Sequence, residues 1–329
     1  MAAKVWDTVI IGGGPAGLSA ALVLGRCCRK VLLCDAGTPR NWAAHKMHGF
    51  LTRDSIAPSE FRAHAHRELG RYDSVEFWAG EVTDVTRKSD GTFRVLLGDD
   101  HAAICRKLLI ATGVADQLPK LPRIDEFWGK SVHQCPYCDG WEVRNKPIAV
   151  YGKRSRGFEM ARAMTAWTSD IALCTNGNSG LLAEQKKHLS RNGVEVIEDS
   201  IAELAGKNGQ LDAVIFTSGR RLPRRALFFD TPCALQSEIA RKLGCTFTKK
   251  GGVRSGRYEA TSVPGVFVAG NIIKDVQLAI VAAAEGTRAA FGINRSLTRE
   301  DFERRATGVK RVEHPPVDDE DVARRRAQT

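Results

Sequence analysis

The sequence predicts an α/β protein built from two three-layer domains, the second inserted into the first. Residues 8–11 form an apolar, partly β-branched run, which glycines and a helix-like stretch follow before another apolar run at residues 31–34. The same order of strand, helix and strand recurs from Pro147, and the pattern of the opening resumes after Gly252. Units of this kind imply parallel strands. Both domains are therefore expected to be Rossmann-like.

The remaining elements follow from apolar runs and the turn residues between them. A helix is expected after Pro58, and Asp90-Gly91 marks a turn between two strands. The predicted strands lie at residues 75–77, 81–87, 92–97, 107–113, 147–152, 170–174 and 266–271, and the later helices at residues 158–167 and 276–291.

The domain boundaries are predicted from these repeats. The first domain is expected to cover residues 1–116 and, after the insertion, 251–297, while the inserted domain covers residues 117–250. Residues 298–329 lack an apolar period and contain a Pro-Pro pair followed by acidic residues. Such a pattern is typical of a charged tail, whose last fifteen or so residues are expected to be mobile.

Composition excludes several classes of protein. Hydrophobic residues make up 43% and charged residues 26% of the 329 residues, which argues against a disordered chain. No signal-peptide pattern and no apolar run of about 18 residues are present, so we expect a soluble, cytoplasmic protein without membrane or nucleic-acid partners. The net charge of +11 fits an acidic protein partner, or solubility alone.

The glycine loop after the first strand predicts a dinucleotide site. Residues 12–17 read Gly-Gly-Gly-Pro-Ala-Gly, and Asp35 ends the next strand. The glycines of such a loop allow a tight turn and a close approach of the backbone to a pyrophosphate, and the acidic residue binds ribose hydroxyls. A glycine turn without a ligand is the alternative. The loop alone does not separate FAD from NAD.

Two of the nine cysteines are spaced for chemistry. Cys135 and Cys138 form a Cys-x-x-Cys motif, in which one thiol typically has a pKa near 7. Asp139 follows directly, and a carboxylate there is a candidate acid–base group. Half of a zinc site is the alternative, but no second pair of ligands accompanies the motif. The other seven are expected to be small buried residues: Cys27, Cys28, Cys34, Cys105, Cys174, Cys233 and Cys245.

From the first strand to about residue 295 the chain resembles the low-molecular-weight thioredoxin reductases. Four blocks carry the resemblance, at residues 12–17, 111–113, 135–140 and 261–271. The resemblance implies that the first and last blocks hold FAD, that Cys135 exchanges with a substrate disulfide, and that Cys138 faces the flavin. It also implies that Asp139 is the acid–base group of the thiols.

One departure from that family lies in the last block, where Asn271 replaces an acidic residue that contacts the ribityl chain. An amide still donates and accepts hydrogen bonds, so FAD remains the expected cofactor. The predicted FAD contacts are Gly12, Gly14, Pro15, Ala16, Gly17, Asp35, Ala36, Arg40, Asn41, Val82, Ala111, Thr112, Gly113, Gly270, Asn271, Gln277 and Leu278.

Two histidines lie in a segment that the resemblance places near the flavin ring. Either His45 or His48 could act as a proton relay or general base, and a surface or packing role is the alternative for each. We predict a catalytic role for His48 rather than His45.

A second and larger departure affects the expected NADPH site. The loop after the strand at 147–152 keeps Gly152 and Gly157, but Arg154 stands at the middle glycine position. After the following strand, Thr-Asn-Gly at residues 175–177 replaces the family's His-Arg-Arg, which removes guanidinium groups suited to a phosphate. NADPH is expected to bind poorly, and the second site is expected to be empty or to hold another flavin.

These departures resemble two branches of the family. One comprises dithiol oxidases that act on small natural products, with which the chain shares His-x-Met-His at 45–48 and Thr-Asn-Gly-Asn at 175–178. The other comprises thioredoxin reductases independent of pyridine nucleotides and fed by ferredoxin or a second flavin. The sequence predicts a homodimeric FAD-dependent dithiol/disulfide oxidoreductase that does not use NADPH. A dithiol oxidase and an NADPH-dependent thioredoxin reductase are the alternatives.

Overall fold

The computed structural model describes residues 4–98 and 100–306, and the chain divides into two compact units. Unit 1 contains the residues up to Pro39, Ser59–Val114 and the residues from Leu235 onward. Unit 2 contains Arg40–Pro58 and Ala115–Ala234.

The strands are β1 (Val5–Ile11), β2 (Val31–Asp35), β3 (Val75–Ala79), β4 (Val82–Arg87), β5 (Phe93–Leu97), β6 (His101–Ile110), β7 (Val114–Asp116), β8 (Val132–His133), β9 (Ile148–Tyr151), β10 (Ile171–Cys174), β11 (Glu195–Ile197), β12 (Ile201–Lys207), β13 (Gln210–Phe216), β14 (Arg221–Pro223), β15 (Ala226–Phe229), β16 (Cys233–Leu235) and β17 (Val266–Val268). The helices are α1 (Pro15–Arg26), α2 (Pro58–Leu69), α3 (Ile124–Phe127), α4 (Pro136–Asp139), α5 (Arg154–Met164), α6 (Ala183–Arg191), α7 (Ile239–Lys242) and α8 (Ala279–Ala306). Short 3-10 helices lie at Trp141–Val143, Arg257–Glu259 and Asn271–Ile273.

Unit 1 is built on a seven-stranded sheet in the order β3-β2-β1-β6-β5-β4, with β17 also paired to β6. The strands β3, β2, β1, β6 and β17 are parallel, and β4 and β5 add an antiparallel ladder. Helices α1 and α8 cross so closely that a Cβ atom on Gly286 would overlap the Ala16 carbonyl. Apolar clusters fill both faces of the sheet, as expected for a three-layer fold.

Unit 2 contains a five-stranded parallel sheet in the order β11-β10-β9-β15-β8. An antiparallel sheet of β12, β13 and β14 follows β11 in the chain. The parallel strands are buried on both faces, which explains why β15 is the continuous apolar run Ala226–Phe229. Two apolar clusters, one on each side of this sheet, complete the layers.

The boundaries between the units differ from the expected ones, which lay after residue 116 and after residue 250. Residues 235–250 belong to unit 1, because Ile239, Ala240 and Cys245 are buried in its core. Residues 40–58, expected in the first domain, belong to unit 2, where Gly129 lies directly against Ala43.

The expectation of a charged tail from residue 298 was wrong for its first part. Helix α8 continues to Ala306, and Leu297 is fully buried. The charges that obscured this helix in the sequence are paired, since Arg106 contacts Asp301 at 2.7 Å and Glu300 at 3.0 Å. The expected mobility of the last residues concerns a part of the chain outside the described residues. No described helix is long and apolar enough to cross a membrane.

Candidate active site

The glycine loop of unit 1 joins β1 to α1 and has the geometry of a dinucleotide-binding turn. Gly12 has a φ of +115°, and a side chain there would overlap the Ala111 carbonyl. A Cβ atom on Gly17 would overlap the Gly12 carbonyl, so this glycine lets the helix pack on the strand. By contrast, nothing lies within 4 Å of a Cβ atom built on Gly14. Pro15 begins α1, where its missing N–H costs no helical hydrogen bond.

Other predicted blocks converge on this loop at the carboxyl ends of β1, β6 and β17. The Ala111 N–H donates to the Ile11 carbonyl at 2.8 Å, which brings residues 111–113 beside the loop. A Cβ atom on Gly270 would lie 3.1 Å from Ala16. The hydroxyl oxygen of Thr112 is buried and has no hydrogen-bond partner in the part of the chain that the structure describes. A polar atom of this kind is expected to bind a ligand or water.

Asp35 lies where the loop needs an acidic residue. A Cβ atom on Gly13 would overlap its carboxylate, so Asp35 directly faces the loop. One oxygen accepts a hydrogen bond from the Gly37 N–H at 2.9 Å, and the other forms an ion pair with Arg62 of α2. Arg62 was missed in the sequence, where it is one of several basic residues of an amphipathic helix.

A second carboxylate near this edge, half-buried, belongs to Glu285 of α8. Its Oε2 accepts a hydrogen bond from the Gly270 N–H at 2.7 Å, just before Asn271. Burial raises the pKa of Glu285 to about 7, and the nearby carboxylates of Glu259 and Asp275 add to the increase. Sequence reasoning missed this residue, because it is only one acidic position in an alanine-rich helix.

The remaining predicted FAD contacts divide between the units. In unit 1, Val82 begins β4 and Ala36 follows Asp35. Asn271 begins a 3-10 helix, and Gln277 and Leu278 directly precede α8. Arg40 and Asn41 lie in unit 2. The guanidinium of Arg40 binds both carboxylate oxygens of Asp116, at 2.8 Å and 2.6 Å.

The residues of unit 1 fit FAD. The open space at Gly14, the unpartnered Thr112 hydroxyl and the facing Asp35 carboxylate are the features that a pyrophosphate and a ribose require. Residues 12–17 and the N-terminus of α1 would hold the pyrophosphate, and Asp35 the ribose. When bound, FAD supplies a two-electron carrier for exchange with a dithiol.

In unit 2, Cys135 and Cys138 form a disulfide with their Cα atoms 5.2 Å apart. Cys135 is the N-cap of α4, and its sulfur accepts the Cys138 N–H at 3.1 Å. Gly140 ends this turn because a side chain there would collide with Pro136 and Trp167. Both cysteines are partly exposed, and Tyr137 between them is 76% exposed. The disulfide is therefore held on one short helical turn and is partly open to solvent.

The other cysteines behave differently from this pair. Burial raises the pKa of the Cys34, Cys105 and Cys174 thiols to about 12, so these thiols stay protonated. The expectation of burial was wrong for Cys27 and Cys28, which are exposed because they lie in the turn that ends α1. Among the described residues, no group of three His, Cys, Asp or Glu side chains is placed to hold a metal ion.

Two histidines lie near the dithiol segment within unit 2. His48 has 14% of its side chain exposed, and its Nε2 lies 3.6 Å from Glu142, four residues after Cys138. Its Nδ1 lies 3.3 Å from the Ser55 hydroxyl and 3.7 Å from Asp54. His45, the alternative in the sequence, is exposed. The second histidine, His133, was missed, although it lies only two residues before Cys135.

The glycine loop of unit 2 differs from that of unit 1 at its centre. Gly152 and Gly157 keep the close contact between β9 and α5. Arg154 adopts a φ of +53° and donates its N–H to the Ser179 carbonyl at 2.8 Å. Its side chain covers Gly180, where a Cβ atom would lie 3.0 Å from the Arg154 Cγ. A residue with a long side chain thus stands at the loop position where a nucleotide site has glycine.

The polar side chains of the segment after β10 form hydrogen bonds within unit 2. The Asn176 side chain accepts the Ile201 N–H at 2.8 Å, and Ser179 and Lys186 donate to Glu198. These donors lower the pKa of Glu198 to about 2, so a negative charge persists here at neutral pH. The loop and the segment after β10 therefore both differ from the pattern expected of an NADPH site.

Fold and site together define a flavin-dependent disulfide oxidoreductase. The chain belongs to the pyridine nucleotide-disulphide oxidoreductase family, whose model matches residues 6–286. Its relatives are thioredoxin reductase-like enzymes, and the two Rossmann-like domains predicted from the sequence are confirmed.

Three known proteins illustrate the similarity. Thioredoxin reductase tcpT of Claviceps purpurea is 33% identical over 290 residues, which cover 84% of this chain and 90% of that protein. A putative thioredoxin reductase TrxB from Bacillus anthracis has a solved structure with a TM-score of 0.86 and 34% identity, covering 90% of this chain and 100% of that one. The structure of HlmI has a TM-score of 0.88 and 35% identity, covering 92% and 95%.

Proposed function

We propose that this protein exchanges electrons between FAD and the Cys135–Cys138 disulfide, with thioredoxin or a related dithiol as substrate and without using NADPH. The observation that carries the proposal is the combination of an intact dithiol with an altered second glycine loop. Electron exchange between sulfur and flavin requires the dithiol but not the second glycine loop. Electrons therefore enter or leave the flavin by a route other than the nucleotide loop of unit 2.

The dithiol half of the proposal is supported by the turn that holds it. Cys135 and Cys138 are reachable from solvent, and Asp139 lies one residue beyond the second sulfur. Exchange requires a thiolate to attack the disulfide and a proton to reach the leaving sulfur. Asp139 is placed to carry that proton, and Cys135 is the sulfur that we assign to exchange with substrate.

The NADPH half is supported by Arg154 and Glu198. Arg154 stands at the loop position where a nucleotide site has glycine, with its side chain against Gly180, and Glu198 keeps a negative charge beside the segment after β10. The exposed Lys153, Arg154 and Arg156 provide positive charge at the loop, but Arg156 already pairs with Asp230 at 3.8 Å. An NADPH-dependent thioredoxin reductase is the alternative that these contacts disfavour.

A second candidate function, a dithiol oxidase that passes electrons to oxygen, is favoured by the position of His48. This partly buried imidazole lies between Glu142 and the pair Asp54 and Ser55 in the same unit as the dithiol. A general base in that place would take protons from a small-molecule dithiol. The shared His-x-Met-His pattern adds to this support.

We also propose an electron donor, a ligand for the second site and a dimeric state. An acidic donor such as ferredoxin would suit the net charge of +11, and another flavin is a candidate for the second site. A homodimer is supported by α8, where the apolar side chains of Ile280, Phe291 and Phe302 are exposed at spacings of eleven residues. Eleven residues are about three helical turns, so these side chains share one face.

The proposed exchange is tested by mixing the FAD-loaded protein with dithiothreitol without oxygen. The flavin absorbance is expected to bleach in stoichiometric amounts, because the dithiol reduces the disulfide and the electrons continue to the flavin. Admission of air then separates the candidates, since a dithiol oxidase would turn over with oxygen consumption and peroxide. A flavin that stays oxidised in excess dithiol would contradict both functions.

A further inference from the structure

His133 is a buried titratable group that the exchange described above does not yet use. It is the last residue of β8, only 8% exposed, and its backbone pairs with Phe228 of β15. The imidazole also packs against the Phe228 ring, with 5.3 Å between the ring centroids. The strand and the aromatic ring together fix the orientation of the imidazole.

The ring directs Nδ1 at the carboxylate beside the dithiol. Nδ1 lies 3.3 Å from the Oδ1 of Asp139. Asp139 in turn donates its backbone N–H to the Cys135 carbonyl at 3.2 Å. Among the described residues, Asp139 is the charged group that faces His133, since β15 presents Phe228 and the neighbouring Glu142 faces His48. The imidazole is therefore in contact with a carboxylate that belongs to the residue directly after Cys138.

The chemistry of exchange needs a proton carrier at this place. When a substrate dithiol reduces the enzyme disulfide, the bond between Cys135 and Cys138 breaks, and a disulfide forms in the substrate. Two electrons and two protons pass from the substrate thiols to the two enzyme sulfurs. Each transfer is faster if a fixed group accepts the proton and returns it, which typically contributes 10²- to 10⁴-fold.

We propose that His133 is the positioning residue of Asp139 and shares the proton that Asp139 moves during dithiol exchange. The inference rests on the proposed function of the dithiol. His133 holds the carboxylate toward the thiols through Nδ1, and its imidazole takes up the proton when Asp139 releases it. A histidine suits this role because each of its ring nitrogens can donate or accept a proton.

The test compares His133→Phe, His133→Asn and Asp139→Asn in anaerobic reduction of the flavin by dithiothreitol, followed from pH 5 to pH 9. His133→Phe keeps a ring against Phe228 but removes Nδ1, and we expect a rate at least tenfold lower and a pH profile that differs from the native one. His133→Asn places an amide nitrogen near the position of Nδ1. It should recover part of the rate but not the native pH profile.

A double variant separates this role from a structural one. His133→Phe combined with Asp139→Asn is expected to be no slower than Asp139→Asn alone, because both changes interrupt one proton path. Rates that multiply, or a His133→Phe profile within twofold of the native one, would overturn the inference. If His133→Phe does not yield FAD-loaded protein, His133→Asn replaces it in the double-variant comparison with Asp139→Asn. A native pH profile in His133→Asn would then overturn the inference. Failure of the native protein to react refutes the proposed function instead.

Discussion

Replacing Cys138 with serine is expected to abolish electron exchange between dithiols and the flavin. Serine has nearly the same size, so the turn of α4 and its packing on Trp167 should persist. A hydroxyl, however, forms no disulfide with Cys135 and provides no thiolate, and loss of an essential nucleophile typically costs more than a thousandfold in rate. The rate of flavin bleaching by dithiothreitol without oxygen measures this loss.

The matched control is Cys27→Ser, which makes the same change at an exposed free cysteine of unit 1. It should keep the native rate and FAD content. Bleaching of Cys138→Ser at the native rate would mean that electrons reach the flavin without the Cys135–Cys138 pair.

Replacing Gly14 with alanine is expected to separate FAD binding from folding. Gly14 has φ −80° and ψ −177°, which alanine adopts without strain, and among the described residues no atom beyond its chain neighbours lies within 4 Å of the added Cβ atom. The apoprotein should therefore unfold within about 0.5 kcal/mol of the native apoprotein. The methyl group would stand where the pyrophosphate approaches the backbone, so the Kd for FAD should rise at least about tenfold, or about 1.4 kcal/mol.

Quenching of flavin fluorescence during titration of the apoprotein gives this Kd. Gly70→Ala is the control, because it adds the same methyl group at an exposed position just after α2, with only ordinary contacts at 3.5 Å. Native affinity for FAD in Gly14→Ala would show that this loop does not hold the pyrophosphate.

The fold was predictable because its signals are local. The loop at 12–17 follows a strand and precedes a helix, and the same order at 147–164 identified the second unit. The continuation of α8 to Ala306 was not predictable from its charges. Those charges are paired with Arg106 and Arg29, which lie about two hundred residues away or more in the chain.

The candidate site was predictable in its motifs but not in the groups that surround them. Cys135, Cys138 and Asp139 follow from one short pattern. The contact between Asp139 and His133 depends on the course of the chain from β8 into α4, and the contact between Asp35 and Arg62 joins residues 27 apart. A single sequence records neither of these pairings, because each residue alone is also typical of a solvated surface or a core.

The most direct test of the account is the response of the flavin to NADPH in the absence of oxygen. The FAD-loaded protein is mixed first with excess NADPH and then, in the same cuvette, with dithiothreitol, while the flavin absorbance is followed. We expect NADPH to leave the absorbance unchanged, because Arg154 stands at the middle position of the loop and Glu198 keeps a negative charge after β10, and we expect the dithiol then to bleach it. Rapid bleaching by NADPH near neutral pH would contradict the account.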